Sequence, residues 1–182
     1  MIQRIILLFV VLTSIAINAY SQADTSKLAK EIESSKVKIK YQRKADDLVS
    51  DSIYQWRISQ SHLDDVYIPL DITDCFKQLD KLMEEPAKKR FMDFSDEEVD
   101  RKTHLSLGKW IDHKWQISEG SRISNYFKRM GVPHPDYMVG IIITSYHRYL
   151  HKRDLKLKEQ VAFFKAKWDE KQKKKALEML GN

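Results

Sequence analysis

Two histidines that lie four residues apart, His147 and His151, are the first candidates for chemistry in this sequence. Residues at i and i+4 share one helix face, so both imidazoles could bind one metal ion. Zinc needs three or four ligands. Possible further ligands are Cys75, His104 and Asp112, although nothing in their spacing requires a shared metal site. We therefore expect no metal and no cofactor, with His147 packed or hydrogen-bonded in the core and His151 in solvent.

The histidines could also act in acid–base catalysis. His104, His134 or His147 could pair with Asp112 or Asp136 as the acid and base of a hydrolase-type enzyme. The sequence contains no complete catalytic constellation, so we name no catalytic residue. A non-enzymatic protein is the favoured interpretation, and the hydrolase is kept as the alternative.

The single cysteine, Cys75, is a candidate nucleophile with a distant histidine as its base. It shares an apolar helix face with Phe76 and Leu79, where a small buried side chain fits. Apolar burial raises the pKa of a thiol and makes it unreactive. We therefore expect a structural role for Cys75, and one cysteine cannot form a disulfide within its own chain.

A possible anion site lies at Ser121 and Arg122, where a helix is expected to begin after Gly120. Free amides at a helix N-terminus, together with a guanidinium, can bind a carboxylate or a phosphate. The alternative is ordinary helix capping, with Arg122 paired to an acidic neighbour. The segment lacks the flanking glycines of a phosphate loop or of a serine-hydrolase elbow.

Aromatic side chains at helical spacing form either a ligand groove or a core, and the core is the usual outcome. If one of them is exposed, we expect it to be Trp115, because a helix is predicted to end there. The aromatic residues in question are Trp110, Trp115, Tyr126, Phe127, Tyr146 and Tyr149.

Helical patterns dominate the region 67–150. Apolar residues recur every three or four positions from Ile72 to Met83, which predicts an amphipathic helix. Ser95 and Glu98 have the spacing of a capping box, and Pro135 suits the first position of a last core helix. The β-branched run 141–143 is compatible with a strand, but its flanking signals favour a buried helix. We predict an all-α, compact multi-helix domain.

Residues 151–182 predict a long basic amphipathic helix with a narrow apolar seam of Leu157, Val161, Phe164 and Trp168. We treat this seam as the candidate interaction surface. Three interpretations stay open: packing on its own domain, docking on a protein partner, and contact with an anionic membrane surface.

Charge divides the chain unevenly. Residues 67–150 carry thirteen basic and thirteen acidic side chains, whereas residues 151–182 carry ten basic and five acidic ones. The core therefore has no excess positive charge for phosphates, and we expect no nucleic-acid partner.

The first 21 residues have the pattern of a secretory signal peptide. A short basic start is followed by an apolar run from Ile5 and by small residues before a predicted cleavage between Ser21 and Gln22. An uncleaved anchor helix is the alternative. The following residues 22–66 are predicted to form a polar N-terminal extension that is helical in places, with a short strand-like alternation at Val37, Ile39 and Tyr41. A secreted or periplasmic location is expected.

A joint pattern of short motifs extends from Pro69 to Leu150. Its segments are 75–80, His104, 107–111, Trp115, 120–122, 126–127, Gly131, 134–138 and 145–148. With this pattern the region resembles an uncharacterised bacterial family, a domain of unknown function. The resemblance implies a small helical module and supplies no reaction, ligand or catalytic residue. Because the sequence has no complete catalytic or metal constellation, the signal peptide and the seam lead us to expect an exported binding or interaction module of the bacterial cell envelope.

Overall fold

The structure, a computed structural model, describes residues 30–40, 42 and 47–180, so the predicted signal peptide lies outside the described residues. The chain divides into two compact units at Asp51 and Ser52. In the first unit, residues 30–40 and 47–51 are helical. The strand-like alternation at Val37 and Ile39 thus lies within a helix, which pairs its backbone groups internally as a lone short strand does not. Tyr41 lies outside the described residues.

The second unit begins with the helical residues 52–59 (α1) and a small hairpin. The strands β1 (His62–Leu63) and β2 (Val66–Tyr67) are antiparallel, with His62 opposite Tyr67 and Leu63 opposite Val66. Asp64 and Asp65 form the turn with φ angles of 45° and 60°. A two-residue turn of this kind matches the twist of the strands.

Helix α2 (Ile72–Leu82) follows the predicted amphipathic pattern, and it buries Ile72, Cys75, Phe76 and Leu79. The Asp71 carboxylate caps it by accepting a 2.8 Å hydrogen bond from the amide of Asp74. Helix α3 (Glu85–Met92) has a proline in its first turn, where the missing N–H costs no hydrogen bond.

Helix α4 (Asp96–Thr103) continues through a π-helical turn (His104–Gly108) into α5 (Lys109–Lys114). The capping box predicted at Ser95 is half formed: the Ser95 backbone bonds the Glu98 carboxylate, but the Ser95 hydroxyl donates to that carboxylate at 3.4 Å and gives the helix no side-chain cap. The helix nevertheless begins at the predicted position.

Helices α6 (Arg122–Arg129) and α7 (Pro135–Leu150) complete the core. Gly131 has a φ angle of 89°, a conformation that suits glycine after a helix. The run Ile141–Ile143 is fully buried within α7, so the prediction of a helix there is confirmed. Helix α8 (Leu157–Leu180) follows a short connection.

The fold is all-α apart from the two-residue strands, as predicted. The core consists of buried apolar residues from α2 to α7, and Trp115, Phe127 and Tyr146 are its largest members. The expectation that Trp115 is the exposed aromatic is wrong: it is 1% exposed and packs edge-on to Trp110, whereas Tyr149 is 44% exposed. Among the described residues, no helix is long and apolar enough to span a membrane.

Candidate functional site

The Asp96 carboxylate gathers three nitrogen-bearing side chains around the first turn of α4. It lies 3.0 Å from His147 Nδ1 and accepts hydrogen bonds of 2.8 Å from both Arg148 Nε and Arg153 Nη2. Asp96 is the first residue of α4, where free backbone amides favour negative charge. This cluster joins the start of α4 to the end of α7.

The turn after α7 positions Arg153. Lys152 adopts a left-handed conformation with φ of 54°, and the Arg153 amide bonds back to the Arg148 carbonyl at 2.9 Å. This closure reverses the chain and brings the Arg153 guanidinium over the helix it has just left. Arg148 Nη1 donates to the Leu155 carbonyl at 3.0 Å, which fixes the connection to α8.

His147 is the most deeply buried member of the cluster, with a side chain 1% exposed. An ionised carboxylate can only accept, so we assign a proton to Nδ1, which also lies 3.3 Å from Arg153 Nη2. Among the described residues, Nε2 is buried with no hydrogen-bond partner. The ring packs edge-on to Phe91 and His151, at centroid distances of 5.6 and 4.6 Å.

Electrostatics keep Asp96 ionised. Burial opposes its charge, but hydrogen bonds from Arg148 and His147, with the charges of Arg148 and Arg153, outweigh burial and lower its pKa below the ordinary value. Two guanidinium groups thus face one carboxylate, and Arg153 is 47% exposed. Within the described part of the chain, the Arg153 guanidinium makes its polar contacts only through Nη2, with Asp96 and His147, so its Nε and Nη1 donors can face a ligand.

A cleft of about 470 Å³ opens at this cluster, which we call the Asp96 cleft. Its volume lies within the range of small-molecule sites. Chemically, the cleft can hold an acidic group against Arg153, or it can use the Asp96–His147 pair as an oriented base. It is lined by Phe94, Ser95, Asp96, Glu97, His147, His151 and Arg153.

The other predicted acid–base residues form a second, separate cluster. His104 Nδ1 lies 2.9 Å from Asp100, and His104 Nε2 lies 3.8 Å from Asp136. His134 caps α7 by accepting from the Asp136 amide at 3.3 Å. Asp112 lies outside this cluster, and its carboxylate accepts hydrogen bonds from the amide and the hydroxyl of Ser118. His104 thus lies near its predicted partner Asp136, but farther from it than from Asp100. His147 pairs with Asp96 and not with a predicted aspartate.

The Ser121–Arg122 segment opens α6 as expected. Ser121 is fully buried, and its amide donates a 2.8 Å hydrogen bond to the Ser124 hydroxyl. Arg122 Nε donates to the Ile68 carbonyl at 2.6 Å, its guanidinium lies over the Tyr67 ring, and Nη2 is buried without a partner among the described residues. The anion site at Ser121 and Arg122 stays a prediction.

The seam of α8 contacts the chain's own domain. Leu157, Val161 and Phe164 are partly buried against the core, and Phe164 stacks on Tyr137 at 5.0 Å. Trp168 lies 5.5 Å from the His134 ring. In this structure the seam therefore packs on its own domain. Docking of α8 on a partner or a membrane stays a prediction.

Cys75 is fully buried, as predicted, and burial raises the pKa of its thiol well above the ordinary value. His151 is exposed, and its Nε2 lies 3.1 Å from the Met92 carbonyl. Within residues 30–40, 42 and 47–180, no group of three or more His, Cys, Asp or Glu side chains could hold a metal ion.

Sequence reasoning missed Asp96 and Arg153 as members of a site. Asp96 lies in the first turn of a predicted helix and Arg153 lies in the basic segment 151–182, and neither pattern indicates a site. His147 and Asp96 are 51 residues apart, and local spacing carries no signal for such a pairing. The adjacent pair His147-Arg148 was the one available signal, because two nitrogen-bearing side chains near a helix end call for an acidic partner.

Residues 68–150 match the family model described as Domain of unknown function (DUF6794), which confirms the resemblance of this region to such a domain. No curated protein and no solved structure matches the chain.

Proposed function

We propose that this chain is an exported binding module of the bacterial cell envelope, in which the Asp96 cleft holds an acidic group of the ligand. The observation that carries the proposal is the excess of donors around one carboxylate. Arg148, Arg153 and His147 all turn toward Asp96, and Arg153 is also exposed to the cleft. A guanidinium with free donors favours a carboxylate or a phosphate.

Rigidity of the cluster also supports binding. The two arginines are held by Asp96 before any ligand arrives, so little side-chain freedom is lost on binding. Phe94 adds an aromatic ring to the lining of the cleft, and Lys102 Nζ lies 5.4 Å from the centroid of that ring. A ligand with an acidic group beside an apolar part fits this combination.

The test is a titration followed by NMR, with acetate and inorganic phosphate as probes. We expect one probe to shift the resonances of His147 and the Arg153 guanidinium in a saturable way. The shift should be lost in Arg153→Ala and kept in Arg129→Ala, a matched control at an exposed position of α6. No saturable shift with either probe, or an undiminished one in Arg153→Ala, would overturn the proposal. The two probes distinguish a carboxylate from a phosphate.

The hydrolase is the second candidate, because Asp96 orients His147 as a carboxylate orients the general-base histidine of a catalytic triad. Two features favour binding over catalysis. The Nε2 atom of His147 is buried, and no hydrogen bond joins it to the Ser95 hydroxyl within the part of the chain that the structure describes. Hydrolysis of p-nitrophenyl acetate or phosphate that falls about a hundredfold in His147→Gln would establish the enzyme instead.

The cell-envelope location rests on the sequence of the first 21 residues. We expect cleavage between Ser21 and Gln22, with the mature chain in the periplasmic or secreted fraction. Mass spectrometry of the protein recovered from each cell fraction measures the new N-terminus. An intact first residue in a cytosolic fraction would contradict export without affecting the cleft.

A further inference from the structure

Helix α8 has a second stripe, which faces away from its own domain and has apolar side chains at both ends. Phe163, Leu177 and Leu180 are 62%, 70% and 85% exposed. With 100° of rotation per residue, this stripe lies roughly 180° from the seam that packs on the core. We call it the outer stripe, and its positions follow intervals of 3, 4, 3, 4 and 3. They are Phe163, Ala166, Glu170, Lys173, Leu177 and Leu180.

These six positions are self-complementary in the antiparallel direction. In a two-fold pair centred between residues 171 and 172, Phe163 meets Leu180 of the partner subunit, and Ala166 meets Leu177 of the partner subunit. At the centre, Glu170 meets Lys173 of the partner subunit, and the two-fold axis makes this ion pair twice. A small residue thus faces a large one, and each central charge faces its opposite.

We propose that the outer stripe is a docking surface for a second copy of this chain, which forms an antiparallel α8–α8 pair. The intervals of three and four are those of a two-helix seam. Because the outer stripe is opposite the seam, the two helical cores on which the seams pack lie on opposite sides of the pair. This inference does not depend on the proposed function of the Asp96 cleft.

The pair is expected to be weak and to form at high protein concentration. The outer stripe is about 26 Å long, and one helix pair of that length buries less than the roughly 1,200 Å² of a stable interface. Lys167 and Lys174 flank the stripe on one side and face like charges across the pair, which weakens it further at low ionic strength.

The experiment is a charge swap on the full chain, measured by sedimentation equilibrium. Glu170→Lys alone and Lys173→Glu alone each place like charges at the centre, and each should raise the dimer dissociation constant about tenfold. The double variant restores opposite charges and should dimerise like the wild type. An equimolar mixture of the two single variants should form a heterodimer. Lys175→Glu, on the opposite face of α8, is the matched control and should leave dimerisation unchanged.

A chain that stays monomeric at millimolar concentration would overturn the proposal, as would single variants that dimerise like the wild type. The wild type and a further variant, Leu177→Asp, are also sedimented with vesicles of equal parts phosphatidylglycerol and phosphatidylcholine. If the wild type does not dimerise but pellets with the vesicles, and Leu177→Asp does not pellet, the outer stripe is assigned to a membrane surface instead.

Discussion

The Tyr146 hydroxyl donates a 2.9 Å hydrogen bond to the Asp80 carboxylate and so ties α7 to α2. Tyr149 reaches the other oxygen of the same carboxylate at 3.3 Å. Burial and the Asp80 hydrogen bond raise the pKa of Tyr146 far above its ordinary value. The phenol is therefore neutral at pH 7 and able to donate this bond.

Removal of that hydroxyl in Tyr146→Phe should lower the free energy of unfolding by about 1–2 kcal/mol, because the half-buried Asp80 carboxylate loses the bond from a fully buried side chain. Tyr149→Phe removes a longer bond at a side chain that is 44% exposed, and it should cost less than about 1 kcal/mol. Urea unfolding of both variants measures the difference. A larger loss in Tyr149→Phe would contradict this ranking.

Replacement of Asp96 by asparagine should destabilise the protein at pH 7 by about 2–4 kcal/mol, because two arginines lose their counter-charge. The pKa of Asp96 is lowered in the folded state. Its contribution is therefore fully present above about pH 4, the ordinary carboxyl value, and is lost as the pH falls through the lower folded value. The gap between wild type and Asp96→Asn should close in strong acid.

Chemical unfolding at a series of pH values between neutral and strongly acidic measures that gap. Asp93→Asn, an exposed aspartate just before α4, is the control and should track the wild type at every pH. A gap that persists unchanged in acid would show that the Asp96 ion pairs do not stabilise the fold.

The Cys75 thiol should not react with Ellman's reagent in the native protein, since it is fully buried and its pKa is raised by that burial. Its reaction should begin only with global unfolding, and the rate should follow the unfolded fraction in urea. Ser59→Cys adds an exposed thiol as a positive control and should react at once. Rapid modification of Cys75 in water would mean that α2 opens locally.

Two glycines with positive φ allow a matched test of backbone strain and steric contact. A Cβ at Gly120 would lie 2.8 Å from the Tyr54 ring, whereas a Cβ at Gly131 would meet only the Lys165 side chain at 3.5 Å. Gly131→Ala should cost about 1 kcal/mol from conformation alone. Gly120→Ala should cost about 2–3 kcal/mol, since the clash with Tyr54 adds to the same strain. Thermal melts of the two variants test the order.

Local signals predicted much of this fold. Asp71 and Pro135 mark the true beginnings of α2 and α7, because caps and first-turn prolines act within a few residues. The burial of Trp115 was missed, since Gln116 adopts a left-handed conformation with φ of 49° and no sequence pattern predicts that turn. The Asp96–His147 pair was missed for a different reason: it depends on how α4 and α7 pack, which spacing along the chain does not encode.

The π-helical turn at His104–Gly108 contains one more residue than an α-helical turn needs. If the same residues were wound as a regular α-helix instead, α4 would run into α5 without a break, and every later side chain of α5 would rotate by about 100° around the axis. Ile111, now fully buried, would then move to the flank of the helix. The wider turn thus sets which face of α5 meets the interior.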